Sequence, residues 1–329
     1  MNSKIPGQFD ILAIKRAAER LSGHVTRTPV LNSPMLDQVC GCQVFVKAES
    51  LQKTGSFKIR GALNKILSLD AETLRRGVIT YSAGNHGQGV AAGAKLIGCP
   101  AVIVLPKNAP SIKIENCRWW GAEIVLYDPH TQDRAEVAQK IVEQRGMTFI
   151  SPFDDFDVMA GQGTTGLELC EQLEEAGITP DAIVVNCSGG GLSAGVITAL
   201  KVKWPEVDAY IVEPVGFDKM AHSFISGIPE KVTRVPDTIM DAIAGPAAGA
   251  KTLPVLLQHG VHGLTVNDNE AKQAVRSAFR FLKLVVEPGG AASLAAVMAR
   301  KADFKGKKVA LICSGGNVDP SIFMHAISE

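Results

Sequence analysis

An excess of charge is the first thing missing from this 329-residue chain: 34 basic and 33 acidic side chains leave a formal net charge of +1. Such a balance supplies no field that would gather nucleic acid or an acidic membrane, and no block of Lys and Arg breaks it. The densest basic run, around Lys305, Lys307 and Lys308, reads as a solvated turn. No uninterrupted apolar stretch reaches about 18 residues, so no membrane-spanning helix is expected. Residues 1–10 are polar and lack the apolar core of a secretory signal, so no secretory targeting is expected. Low-complexity linkers and internal repeats are also missing. The seven cysteines are odd in number, and Cys187 and Cys313 fall inside apolar, strand-like runs. That speaks against a disulfide framework and for reduced thiols in the cytoplasm. Cys40 and Cys42 have no matching second pair, which removes the four-ligand pattern of a metal–thiolate site.

What the chain does have is core. It is 46% hydrophobic and 20% charged, with a mean hydropathy of +0.12, and its length suggests about two domains. Short β-branched runs at residues 44–47, 77–81, 101–105, 123–127, 182–185, 209–212 and 309–312 read as strands buried on both faces. Helix-period segments at 88–97, 133–144, 164–175 and 192–203 lie between them. This alternation predicts an α/β protein with two open, mainly parallel sheets and helices on both faces. The irregular stretch from 214 to 263 fits a closed eight-fold barrel poorly. A small domain is expected over residues 68–153 and a large one over 1–67 and 154–329.

Three places at the carboxyl ends of strands carry chemistry, where open parallel sheets bind cofactors. Lys58 follows Phe57 in what reads as a short turn bounded by Gly55 and Gly61, a setting that suits a shielded, Schiff-base-forming lysine. The alternative is a surface lysine at a helix start, next to a second basic residue, Arg60. Ser188, Gly189, Gly190, Gly191 and Leu192 join a strand to an apolar helix. Backbone N–H groups there can meet a phosphate without interference from side chains. No Lys-Ser/Thr follows, so this is not a P-loop, and the Gly-x-Gly-x-x-Gly dinucleotide spacing is absent. Ser82, Ala83, Gly84, Asn85 and His86 form a second strand-to-helix loop suited to a carboxylate. No Ser–His–acid signature accompanies His86. Ser314, before Gly315, Gly316 and Asn317, puts a small polar group at a third strand end.

Together with residues 160–164 and the pair Glu287-Pro288, these motifs run over nearly the whole chain. In that order they resemble the fold-type II pyridoxal phosphate enzymes, tryptophan synthase beta-like in fold. Within these the resemblance is to the threonine/serine dehydratase (threonine ammonia-lyase) and serine racemase family. The resemblance implies pyridoxal 5'-phosphate as cofactor, with Lys58 as its Schiff-base lysine and Phe57 against the ring. It further implies Asn85 near the ring hydroxyl, residues 188–192 on the phosphate, Glu287 in the cofactor site and Ser314 at the pyridine nitrogen. The loop from Ser82 to His86 would hold the substrate carboxylate beneath a closing small domain. The implied activity is that of a carbon–oxygen lyase of the ammonia-lyase type. It converts a β-hydroxy amino acid such as threonine or serine to a 2-oxo acid and ammonia. A homodimer is implied, and the chain has no room for a carboxyl-terminal regulatory domain.

Departures from the family pattern narrow this. Racemases use a serine where this chain has Ala83, which cannot move a proton, so dehydration is favoured over racemisation. Glu213 matches one carboxylate of a divalent-cation site, but Lys219 stands where a second is expected, beside Asp218. The expectation is no metal. Residues 241–243 and 288–291 resemble dehydratases of hydroxyectoine breakdown, which keeps a larger substrate open. Arg134 matches a position that can face a second carboxylate, which keeps 3-hydroxyaspartate open; alternatively it is a solvated helix arginine. A noncatalytic pyridoxal phosphate carrier would share the cofactor motifs.

Overall fold

A computed structural model describes residues 9–82, 84–109, 111–233 and 237–328. Two sheets form the frame. The larger runs in the order β1 (Val30–Leu31), β2 (Gln43–Ala48), β10 (Lys308–Cys313), β7 (Ala182–Asn186), β8 (Asp208–Pro214), β9 (His262–Val266). Only the β1–β2 pairing is antiparallel. The smaller sheet is wholly parallel, in the order β5 (Glu123–Tyr127), β4 (Ala101–Pro106), β3 (Val78–Tyr81), β6 (Thr148–Phe149).

The apolar runs behave as two-sided burial requires. β7 is buried along its whole length, and β10 in all but its first residue. Residues alternate between the two clusters that sandwich this sheet: Val184 and Leu311 lie on one face, Ile183 and Ala310 on the other. Pairing Leu311 with both Val46 and Val184 brings the carboxyl ends of β2, β10 and β7 to one edge. Among the described residues, no helix is long and apolar enough to cross a membrane.

Four readings of the sequence change. Lys58 does not sit in a turn closed by Gly61; it opens the helix Lys58–Leu67, and Gly61 lies inside that helix. The helix Phe156–Glu175 starts well before the periodic segment beginning at 164. Its first turns carry Gly161 and Gly163, which blur the apolar stripe, while Asp155 caps its start by accepting from the N–H groups of Asp157 and Val158. These glycines admit neighbouring backbones: a Cβ on Gly163 would lie 3.2 Å from the Cα of Gly195, and one on Gly61 would lie 2.7 Å from the carbonyl oxygen of Val158. The stretch from 214 to 263 holds the helices Lys219–Ser226 and Thr252–Gln258 and the start of β9. In the basic run, Lys308 belongs to β10 and Lys307 pairs with Asp208 at 3.1 Å.

Candidate active site

Backbone pairing fastens the lysine to the end of β10. Ser56 bridges Gly315, and the Phe57 N–H donates to the Ser314 carbonyl at 3.1 Å. The Lys58 Nζ donates to the Pro152 carbonyl at 2.7 Å and lies 5.2 Å from the centre of the Phe57 ring. No carboxylate among the described residues compensates its charge there, and burial pushes its pKa from 10.5 down to about 8. The amine is thereby brought close to the neutral form that attacks carbonyls and removes protons.

The same helix is anchored one turn further in. Arg60 is fully buried and pairs with Glu49 at 2.8 Å and Glu168 at 2.7 Å, while Lys47 reaches Glu168 at 2.7 Å. Burial alone would raise the Glu49 carboxyl, but Arg60 and Lys47 outweigh it and hold Glu49 below its ordinary range. Sequence reasoning saw Arg60 only as a second basic residue. Its partners lie 11 and 108 positions away, so no local signal revealed them.

At the end of β7 the glycine loop turns into the helix Gly191–Lys203. Among the described residues, the backbone N–H groups of residues 188–193 have no acceptor; the first helical bond of this end runs from Ala194 to Gly190 at 2.8 Å. Gly190 has φ +94°, which only glycine adopts readily. A Cβ on Gly189 would run into the Phe153 ring, so the glycines here serve packing as well as anion access. Ser188 Oγ accepts from the Gly245 N–H at 3.2 Å. Free N–H groups at a helix amino end fit a phosphate.

Asn85 comes close to the backbone just after Ser314: a Cβ on Gly315 would lie 3.2 Å from the Asn85 Nδ2. Asn85 opens the helix Asn85–Ile97, donates to Glu287 Oε1 at 2.6 Å, and accepts from Asn317 Nδ2 at 2.7 Å. Ser314, 4% exposed, accepts from Asn186 Nδ2 at 2.9 Å. Asn186 and Asn317 were not among the predicted site residues. An asparagine ending an otherwise apolar strand was the available signal for Asn186.

In the second loop, Ser82 Oγ accepts from the Gly84 N–H at 3.3 Å; Ala83 lies outside the described residues. His86 is buried, and its Nε2–H donates to the Ile150 carbonyl at 3.0 Å. Burial, reinforced by the Lys58 charge, pushes its pKa down to about 3, so the imidazole is neutral. Its Nδ1 has no partner among the described residues. Arg134 opens the helix Arg134–Arg145, with its guanidinium 5.0 Å from the centre of the Tyr81 ring. Tyr81 ends β3 immediately before Ser82.

Near the carboxyl end of β8, Lys219 Nζ pairs with Glu213 at 2.9 Å, both side chains fully buried. Glu213 also accepts from the N–H groups of Met220 and Ala221 at 3.1 and 3.0 Å. Burial still pushes its carboxyl upward against the pull of the ammonium. Asp218 turns to His222 instead, at 3.3 Å.

A lysine with a lowered pKa, a nest of free N–H groups and a buried hydroxyl suit a cofactor that carries an aldehyde and a phosphate. A family description, "Pyridoxal-phosphate dependent enzyme", matches residues 21–315, so the chain belongs to that family and its cofactor is pyridoxal phosphate. It is 41% identical to an L-threo-3-hydroxyaspartate ammonia-lyase of a Pseudomonas species, over 92% of this chain and 94% of that one. It is also 41% identical to an L-threonine ammonia-lyase of Thermotoga maritima, over 96% of this chain and 77% of the relative. The structure of maize serine racemase superposes with a TM-score of 0.90, at 37% identity, covering 98% of this chain and 97% of that one.

Proposed function

We propose that the protein eliminates water from a β-hydroxy amino acid such as threonine or serine, yielding a 2-oxo acid and ammonia. The observation that carries this reading is the Lys58 amine, its pKa lowered to about 8 by burial, on a segment stitched to the backbone of Ser314 just beyond β10. Bound pyridoxal phosphate supplies an aldehyde for the lysine and a conjugated ring that takes up charge left at Cα. Lys58 takes the Cα proton. Residues 188–192 would hold the phosphate, and Phe57 would flank the ring. Asn85, steadied by Glu287 and Asn317, would reach the ring hydroxyl, and Ser314 would face the ring nitrogen. Ser82, Ala83, Gly84, Asn85 and His86 bind the substrate α-carboxylate at the amino end of the Asn85–Ile97 helix, where the neutral His86 adds no charge. The C–O bond then breaks, and the hydroxyl takes up one proton, balancing the one removed from Cα, to leave as water. A water molecule then hydrolyses the unsaturated amine to the 2-oxo acid and ammonia. Over the whole reaction a C–N bond is lost, which makes the enzyme a carbon–nitrogen lyase.

Where the racemases of the family use a serine this chain has Ala83, whose side chain carries no proton to transfer, which favours elimination over racemisation. The Lys219 ammonium already neutralises Glu213, which supports a reaction independent of a divalent cation. Domains over residues 68–153 and over 1–67 with 154–329 follow the division between the two sheets. A homodimer accords with apolar exposure at Phe279, Val285 and Met324, and a cytoplasmic location with the free cysteines. Arg134 supports a second reading: its charge over Tyr81, at the lip of the carboxylate loop, suits the second carboxylate of 3-hydroxyaspartate. A screen for 2-oxo acid release should cover threonine, serine, both hydroxyaspartates and a hydroxylated diaminobutyrate. Release from none of them overturns the proposal; release from hydroxyaspartate alone selects the second reading.

A further inference from the structure

The amide of Asn186 has one permitted orientation. Its Oδ1 accepts the Ser293 N–H at 2.6 Å, and its Nδ2 faces the Gly290 carbonyl at 2.8 Å and the Ile312 carbonyl at 3.3 Å. Turning the amide over would set an NH2 against an N–H and an oxygen against two carbonyls. All of this is buried: Asn186 is 3% exposed, Ser314 4% and Ser293 0%. The contact from Nδ2 to Ser314 Oγ at 2.9 Å therefore runs one way, with the asparagine donating and the serine accepting. A hydroxyl that accepts still has its own hydrogen to place, and no acceptor for it exists among the described residues. A buried donor left unmatched is costly, so its partner is supplied by whatever fills the cleft.

We propose that Asn186 is a positioning residue. It polarises Ser314 so that its hydroxyl donates to the ring nitrogen of the cofactor and keeps that nitrogen unprotonated. The inference rests on the reading that Ser314 faces that nitrogen. An acceptor at Ser314 would instead stabilise the protonated ring, a stronger electron sink. With the donor fixed, charge built up at Cα is stored less well, and prompt loss of the β-hydroxyl is preferred over side reactions.

The test reconstitutes the protein with pyridoxal phosphate labelled with 15N in the ring and follows the nitrogen shift by NMR against pH. The wild type is expected to show an unprotonated nitrogen throughout its stable range. Ser314→Ala should move the titration upward. Asn186→Ala should move it upward by about one pH unit through loss of the oriented donor. Asn186→Asp, which lets the serine donate to the carboxylate instead, should move it further. If Asn186→Asp does not fold, Asn186→Ser, which keeps a smaller polar group, carries the comparison. A protonated nitrogen in the wild type overturns the inference outright. If Ser314→Ala leaves the shift unchanged, Ser314 does not face the ring nitrogen and the underlying reading fails. If Ser314→Ala shifts the nitrogen but the Asn186 variants do not, that reading stands and the role of Asn186 is wrong.

Discussion

Burying the Lys58 amine lowers its pKa from 10.5 to about 8, so between those values the folded, cofactor-free protein binds fewer protons than the unfolded chain. Stability therefore rises with pH across that window: the cost of the buried ammonium is complete below it and gone above it. Replacing Lys58 by Met should stabilise the cofactor-free protein at neutral pH by on the order of 3 kcal/mol, and the advantage should vanish above the upper limit. Equal urea midpoints for the two proteins at neutral pH would contradict this. The same variant should release no 2-oxo acid and should not be labelled covalently by cofactor and borohydride. Ala83→Ser places a hydroxyl where a second proton carrier could act, and should introduce interconversion of L- and D-serine measurable by chiral chromatography. The Ser188 and Ser314 motifs were legible because their neighbours are small or glycine at strand ends, and Lys58 because it follows Phe57 between Gly55 and Gly61. Asn186, Asn317 and Pro152 were not, because what makes them matter is a partner far away in sequence.

Elements explain why the lysine is held so firmly. The helix Lys58–Leu67 lies against the helix Phe156–Glu175 through glycines, and the Arg60 cluster ties both to the short helical turn Glu49–Leu51. Gly61→Ala would press a methyl group against the Val158 carbonyl and the Gln162 side chain; a loss of about 1–3 kcal/mol is expected from overpacking. Glu49→Gln leaves Arg60 short of a charge in a dry site and should cost about 3–5 kcal/mol. Urea unfolding measures both; a neutral Glu49→Gln would show that the cluster contributes little. Strand positions were readable from apolar runs wherever burial is two-sided. β1 and β6 escaped because two residues carry no period, and β9 because it is half exposed. Early helical turns built on glycine were invisible because a helix read from its apolar stripe needs side chains to show the stripe.

Across the whole molecule, the proposed cofactor site draws Asn85 from beside the smaller sheet and Ser188 and Ser314 from the ends of the larger one. At a hundredfold excess over its Kd, pyridoxal phosphate should therefore stabilise the protein by about 2.7 kcal/mol, read as a shift in urea midpoint. No shift would mean that the site is not built in the folded state. Chelator treatment should leave 2-oxo acid release unchanged, because Lys219 occupies the charge position beside Glu213; loss of activity restored by magnesium would refute this. The alternation of apolar runs and helical periods determined the class of fold, since backbone geometry and burial act locally and leave a periodic trace. Short glycine-rich motifs likewise determined the family and the cofactor. Tertiary structure alone decided that Lys58 opens a helix, that Arg60 is buried among carboxylates, that Glu213 is already paired, and that the Asn186 amide has a single orientation. Each of these depends on groups brought together by the closing of the sheets, and the free energy of a buried charge or hydrogen bond is set by such neighbours rather than by the order of residues along the chain.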